Sequence, residues 1–330
     1  MYHSRWKGNH YEAGFKYGQR LYENKVDLKL EKRVNNEKIN YGKKVFKYYE
    51  RFYLEIVEEI DGFSKGLREE FIKVFSFLTA MYIFTYENFC SIIGIKNENE
   101  IILARNSDFN IALEKLTDSA FYNLKDGYSF IGNTTAMIQM EDGINEYGLS
   151  CGLTFVYPTV KDYGFNAGFI IRYILEKCKT VEEAIAFMER IPLGSSQNLI
   201  IADKYGKLAL IESNPKNSYI VFNEGKDMAL YRINHFISEN MREYKYSTVD
   251  DIFSHRRYET LNNQDYGKYK LDDLVDLLKG NRGFLCQYNR KLGMDTIWSS
   301  IYDIGRKEIY RCEGNPSRKN FNKDSRLKFK

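Results

Sequence analysis

The hydrophobic rhythm of the chain changes once, near residue 89. Before that point apolar and aromatic residues recur at three- and four-residue spacing, the pattern of helices with one covered face. Tyr11 to Tyr22 predicts a first helix, with apolar or aromatic residues at 11, 15, 17, 21 and 22. Glu31 to Ile60 predicts a long amphipathic helix with Phe46, Tyr49, Phe52, Tyr53 and Ile56 on its covered side and a solvated charged face opposite. Phe71 to Tyr86 predicts a third helix, almost wholly apolar. Its uncharged run, Val74 to Tyr86, is about two-thirds of the length a membrane span needs, so it reads as a buried helix.

After residue 89 the rhythm becomes that of strands. Two apolar runs, Cys90 to Ile95 and Ile101 to Asp108, flank the polar stretch Lys96 to Glu100 and predict an antiparallel hairpin. With the turn centred near Glu98, Cys90 lies opposite Asn106. Ala136–Glu141 and Leu149–Val156 read as strands around a turn region, with Gly152 where a neighbouring backbone approaches closely. Asn166–Cys178 reads as a helix, and Thr180-Val-Glu-Glu183 is a capping box opening another. Gln197–Asp203 and Lys207–Ser213 form a second hairpin, whose sheet Tyr219–Asn223 and Met228–Arg232 extend. Leu271–Lys279 is a short helix stopped by Gly280. Thr296–Asp303 and Lys307–Cys312 make a last hairpin. Helices, strands, paired helices and strands again fit two sheets packed face to face with helices outside.

Composition narrows the class. With 330 residues, 43% hydrophobic and 15% aromatic, the chain is globular rather than disordered. The net charge of +4 owes much to the tail Ser317–Lys330, which reads as a frayed end and not a nucleic-acid arm, since no nucleic-acid-binding motif accompanies it. The five cysteines are odd in number, scattered and never in C-x-x-C spacing, which argues against a disulfide framework or a zinc site and fits a reducing cytosol. The opening Met1-Tyr-His-Ser-Arg-Trp-Lys has no apolar core behind it, so no secretory signal is expected. The expected protein is cytoplasmic, free of the membrane and of nucleic acid.

The chemistry centres on Cys90. Arg105 and Asp108 fall beside it in the predicted hairpin, and a thiol between a fixed cation and a fixed carboxylate suits nucleophilic catalysis, because only the thiolate attacks. The same spacing fits a small, unreactive residue opening a core strand.

Seven pieces, in order, carry a resemblance: Cys90-Ser; Ala104-Arg-Asn-Ser-Asp108; Asn145-Glu-Tyr-Gly-Leu-Ser-Cys-Gly-Leu-Thr-Phe155; Arg172-Tyr-Ile-Leu-Glu-Lys-Cys178; Asn198-Leu-Ile-Ile-Ala-Asp203; Asn234-His-Phe236; and Thr296-Ile-Trp-Ser-Ser-Ile-Tyr302. Together they resemble the choloylglycine hydrolase and acyl-CoA:6-aminopenicillanate acyltransferase superfamily of N-terminal nucleophile hydrolases, most of all its acyltransferase branch, peptidase family C45. Tyr11-Glu-Ala-Gly…Gly18 is similar to the helical leader of that branch.

The resemblance implies an α+β fold, a four-layer αββα sandwich, with residues 1–89 as a helical leader and 90–330 as the catalytic domain. It implies scission before Cys90, which would then attack an amide carbonyl with its own α-amine as base. Asp108 would orient that amine, and Arg105 would favour the thiolate and brace Asp108. Asn198 would donate to the oxyanion, a donor whose loss typically costs about 3 kcal/mol. Arg257 matches a further site arginine, with Arg256 competing for the role. His235 reads as a structural histidine. The implied activity is hydrolysis of a linear N-acyl amide, a small molecule, without metal or organic cofactor, in a protein free to form homo-oligomers. The alternatives are an N-acyltransferase using the same acyl-enzyme and a catalytically silent binding protein of the same fold. Two departures stand out. Thr154 replaces the Asn of the bile-salt hydrolase Gly-Leu-x-Phe motif, and Phe89 replaces the Gly that precedes the acyltransferase cysteine, where bulk hinders the N-to-S acyl shift.

Overall fold

The computed structural model describes residues 1–84, 89–223, 228–245 and 253–330. An eight-stranded sheet runs in the order β1 (Arg5–Gly8), β4 (Asp118–Leu124), β5 (Phe130–Thr134), β6 (Asp142–Asn145), β7 (Ser150–Phe155), β8 (Gln197–Ala202), β9 (Leu208–Ser213), β10 (Ser218–Phe222). A six-stranded sheet faces it in the order β11 (Met228–Arg232), β2 (Phe89–Lys96), β3 (Ile101–Asn110), β12 (Met294–Asp303), β13 (Glu308–Cys312), β14 (Asn322–Lys323). Helices α1 (His10–Glu23), α2 (Leu30–Arg33), α3 (Asn36–Phe52), α4 (Leu54–Leu67) and α5 (Phe71–Thr79) precede β2. Helices α6 (Ala167–Lys177), α7 (Val181–Arg190), α8 (Ser254–Asn262) and α9 (Leu271–Leu278) follow in the strand-rich part.

Alternation along the strands sorts the core into layers. Ile92, Leu103, Ile131, Ile144, Ile200 and Leu208 fill the space between the sheets. Their neighbours Leu199, Ile201 and Ile211 face the other way and pack under α1, α4, α5, α6 and α7. On the far side Ile93, Ile95, Ile102 and Ile301 pack under α8 and α9. The result is the expected αββα sandwich. Strands covered on both faces must be apolar at consecutive positions, which is why β2, β8 and β9 read as continuous runs.

Several expectations need correction. The predicted 31–60 helix is three helices, α2, α3 and the start of α4, broken at Tyr53, whose φ of −154° leaves the helical region. That break aims the Tyr53 hydroxyl at the Glu176 carboxylate, 2.8 Å away. The third helix ends at Thr79, and the last two residues of its predicted span lie outside the described residues. Residues 136–141 are a turn rather than a strand. Thr134 accepts the Ala136 N–H at 2.7 Å, Met137 takes a φ of +61°, and strand pairing starts at Asp142, inside the stretch read as a turn. Strand β11 joins the six-stranded sheet beside β2, not the sheet of β9. Cys90 pairs with Ser107, one residue off the expected register. The tail is docked rather than frayed: Arg326 donates to the Ser119 carbonyl at 2.7 Å, Leu327 is buried and the Lys330 N–H reaches the Glu146 carbonyl at 2.7 Å. Strands β4 and β5 and helix α8 answer to no stretch that the hydrophobic pattern singled out.

The segment before Cys90 is built into the sandwich. Strand β1 pairs in parallel with β4, Arg5 opposite Phe121. Buried Arg172 on α6 reaches Glu59 on α4 at 2.7 Å and Glu176 at 3.0 Å, its guanidinium carbon 3.8 Å from the Tyr122 ring centre. His10 on α1 bonds the same Glu176. Burial alone would lift Glu176, but Arg172 and His10 outweigh it and hold the carboxyl down at about 2.

Helices α1 and α4 meet through glycine. A Cβ at Gly14 would lie 2.0 Å from the Glu59 carbonyl oxygen, and one at Gly66 2.2 Å from that of Phe15. Overpacking there pushes backbone against backbone, with no flexible side chain to yield. Gly66→Ala should lower the free energy of urea unfolding by about 1–3 kcal/mol, and more for Gly66→Val. An unchanged midpoint in both variants would show that the crossing is looser than described.

Candidate active site

Cys90 stands at the start of β2, and side chains alternate across a strand. Ile92 lies in the inter-sheet core, so Cys90, two residues earlier, faces the same way. The buried thiol meets Arg105, whose Nη2 lies 2.6 Å from Sγ. Arg105 itself is fully buried, and every arm of its fork is occupied. Its Nε donates to the Leu153 carbonyl at 2.8 Å, Nη1 to Asp142 at 2.7 Å, and Nη2 also to Glu141 at 3.3 Å. Asp142 in turn accepts from Asn133 at 2.6 Å, from the Trp298 indole at 3.1 Å and from the Tyr302 hydroxyl. Gly152 makes room: a Cβ there would lie 2.7 Å from Ile92 Cδ1 and 3.4 Å from Arg105 Cδ. The close approach expected at Gly152 is thus one of side chains.

The backbone of Cys90 is held separately. Asn234 Oδ1 accepts the Cys90 N–H at 2.9 Å and Arg257 Nη2 at 2.8 Å, while its Nδ2 donates to the Phe155 carbonyl at 2.8 Å. Arg257 Nη1 donates to the Cys90 carbonyl at 2.8 Å, to Ser91 Oγ at 3.1 Å and to Asp108 at 3.3 Å. Asp108 also accepts from Thr296 at 2.6 Å and Tyr288 at 3.0 Å. A register shift in β12 between Thr296 and Trp298 lets Thr296 reach Asp108 while Trp298 reaches Asp142.

The six candidates therefore fall into two groups. Cys90, Arg105, Asp108 and Arg257 are joined by direct contacts. Asn198 and Thr154 lie one step back. Asn198 Nδ2 donates to Thr154 Oγ1 at 3.0 Å and to the Ile233 carbonyl at 2.8 Å, and Thr154 donates to that same carbonyl at 2.6 Å. Together they clasp the residue before Asn234. Arg256, the competitor of Arg257, is exposed and stacks on Phe284 at 4.3 Å.

Sequence reasoning missed the roles of Asp142 and Asn234. Asp142 was hidden by the misplaced turn. Asn234 lies in the motif Asn234-His-Phe236 but carried no assigned role, and its Oδ1 accepts the Cys90 N–H.

Burial sets the electrostatics. Desolvation pushes the Cys90 thiol up to about 12, against the pull of Arg105. Burial also lifts Asp108 to about 6, although Arg257, Thr296 and Tyr288 all favour its charged form. Glu141 is raised by burial too, partly offset by Arg105. Among the described residues no group of three or more His, Cys, Asp or Glu side chains is placed to hold a metal, and no helix is long and apolar enough to cross a membrane.

The model of one family, described as acyl-coenzyme A:6-aminopenicillanic acid acyl-transferase, matches residues 95–318. The chain belongs to that family. This is the acyltransferase branch that the motifs resemble, and the matched span begins just after Cys90. No curated protein sequence matches this acyltransferase-family chain. Similar solved structures include the Caenorhabditis elegans ortholog of N-acylethanolamine-hydrolyzing acid amidase, 18% identical, TM-score 0.48, with 66% of this chain and 93% of that one covered. Penicillin V acylase from Agrobacterium tumefaciens is 15% identical at TM-score 0.48, with 68% and 82% covered. A mutant of conjugated bile acid hydrolase from Clostridium perfringens is 13% identical at TM-score 0.47, with 73% and 98% covered.

Two outcomes follow from the geometry. Asp142→Ala strands the Arg105 charge in the inter-sheet space and should cost about 3–5 kcal/mol in chemical denaturation, as loss of one partner of a buried pair does. A loss below about 1 kcal/mol would mean that water or Glu141 replaces it. In the uncut chain, alkylation of Cys90 followed by peptide mapping should be slow at pH 7 and rise about tenfold per pH unit towards pH 10, because a thiol titrating near 12 gains thiolate throughout that range. A plateau by pH 8 would place the thiol much lower.

Proposed function

We infer that this protein is an amidohydrolase of linear N-acyl amides that works through Cys90 after scission of the 89–90 bond. The observation that carries the reading is the double hold on one residue: Arg105 lies 2.6 Å from the sulfur while Asn234 lies 2.9 Å from the nitrogen. Freed from Phe89, that nitrogen becomes an α-amine titrating near 8 when unperturbed, a base for a thiol that burial keeps protonated.

The sulfur attacks the amide carbonyl and its proton passes to the α-amine. The α-amine returns the proton to the departing amine as the C–N bond breaks, leaving a thioester on Cys90. Water, deprotonated by the same α-amine, then attacks the thioester and releases the carboxylic acid and the thiol. Arg105 stabilises the sulfur as it gains charge. Arg257 fixes the Cys90 carbonyl, and Asp108 braces Arg257. Asn234 holds the Cys90 nitrogen through its Oδ1, and Asn198 with Thr154 supports it through the Ile233 carbonyl.

The structure also contains a partly apolar cavity, apart from Cys90. It has a volume of about 920 Å³ and is lined by Trp6, Tyr17, Phe77, Met81, Phe84 and Met137 among others. Thr135, also on its wall, bonds Glu141, which bonds Arg105.

The family's name favours a second reading, in which an amine in place of water takes the acyl group. Adding a competing amine during turnover separates the two: acid alone marks a hydrolase, and amide formation in proportion to the added amine marks a transferase.

The test of the main reading is intact mass spectrometry of wild type beside Cys90→Ala, followed by a panel of N-acyl amides. Wild type should give two pieces divided between residues 89 and 90, and Cys90→Ala one uncut chain without turnover. Turnover by Cys90→Ala would overturn the reading.

A further inference from the structure

His235 follows the asparagine that holds the Cys90 nitrogen, and sequence alone made it a structural residue. Its surroundings differ from those of an ordinary packed histidine. Nδ1 lies 2.8 Å from Ser254 Oγ, and that oxygen accepts the backbone N–H of Asn234 at 3.2 Å. Both Ser254 and Asn234 are buried, at 4% exposure each. Asn234 Oδ1 then bonds the Cys90 N–H and Arg257.

We propose that His235 and Ser254 form a positioning relay for Asn234. The Ser254 hydroxyl donates to the neutral His235 Nδ1 and accepts from the Asn234 N–H, which fixes the Asn234 side chain against Cys90 and Arg257. The relay rests on the reading of Cys90 as nucleophile. A hydroxyl has one proton, and its direction decides whether the chain of bonds works. Donation to His235 orients both oxygen lone pairs, one of them towards the Asn234 N–H.

The environment enforces the neutral ring. His235 stacks against His255 on α8 at 4.5 Å and touches Tyr258 at 6.0 Å between ring centres. Burial opposes a positive charge there most, and His255, Lys245, Arg257 and Arg232 oppose it further. The nearby Glu212 on β9 is already engaged by Arg232 and by the N–H groups of Ile237 and Ser238. The ring is thus held neutral, and in the tautomer protonated at Nε2 its Nδ1 accepts the Ser254 hydroxyl.

The test uses the full chain. His235→Leu and Ser254→Ala should each lower kcat about tenfold or more with KM little changed, and the double variant should lose no more than the worse single one. His235→Asn, which can place an acceptor near the Nδ1 position, should restore most of the loss. A double variant that multiplies the two losses, or an Asn variant no better than Leu, would overturn the relay. Hydrogen exchange gives a readout independent of turnover. In a Cys90→Ala background, His235→Leu should speed exchange of the Asn234 amide, and unchanged exchange would also overturn it. If Cys90→Ala itself keeps wild-type turnover, the nucleophile reading falls, and the exchange result still judges the hydrogen-bond chain.

Discussion

The structure depends on one buried cation. Arg105 carries a full charge into the space between two sheets, where an uncompensated guanidinium would cost several kcal/mol. Its four partners come from three different strands and the turn before one of them. Cys90 lies on β2, Leu153 on β7, Asp142 on β6, and Glu141 just ahead of it. Compensation therefore requires both sheets to be formed and in register. A slip of one residue in β3 would turn Arg105 to the opposite face and strand Asp142. The same demand that fixes the sheet packing fixes the distance between cation and sulfur, so stability and chemistry are set by one contact set.

A second constraint acts on the other side of Cys90. Asn234 and Arg257 reach Cys90 from the stretch beyond β11 and from α8, and they hold its backbone nitrogen and carbonyl. The sulfur and the backbone of Cys90 are thus controlled by separate parts of the fold. Such a division lets the nitrogen change its bonding, as it would on becoming an amine, without disturbing the cation at the sulfur.

Much of this was legible in the sequence. The hairpin around residue 98, the place of Arg105 beside Cys90, the layer order and the family all followed from period and motif. What stayed hidden was hidden for physical reasons. Apolar residues at 136, 138 and 140 alternate as in a strand, yet Thr134 and Glu141 side chains capture the backbone and make a turn. That error concealed Asp142. Asn198 and Asn234 are chemically identical, and only the crossing of β11 to the other sheet brings the second to Cys90. The long helical pattern of 31–60 carried no mark of the break at Tyr53, which a tertiary partner, Glu176, dictates.

The glycine crossing of α1 and α4 bears on the order in which the chain assembles. Strand β1 is among the first residues made, but its partner β4 comes far later: Arg5 must wait for Phe121. Pairing parallel strands so distant in sequence is slow, because the loop must close before any contact rewards it. Helices α1 and α4 are nearer neighbours, and their glycine faces lock backbone to backbone without waiting for a sheet. An early α1–α4 pair would carry β1 as a tethered edge, ready when the larger sheet arrives. In kinetic terms the segment before Cys90 would then be a folding template for the sheet it joins.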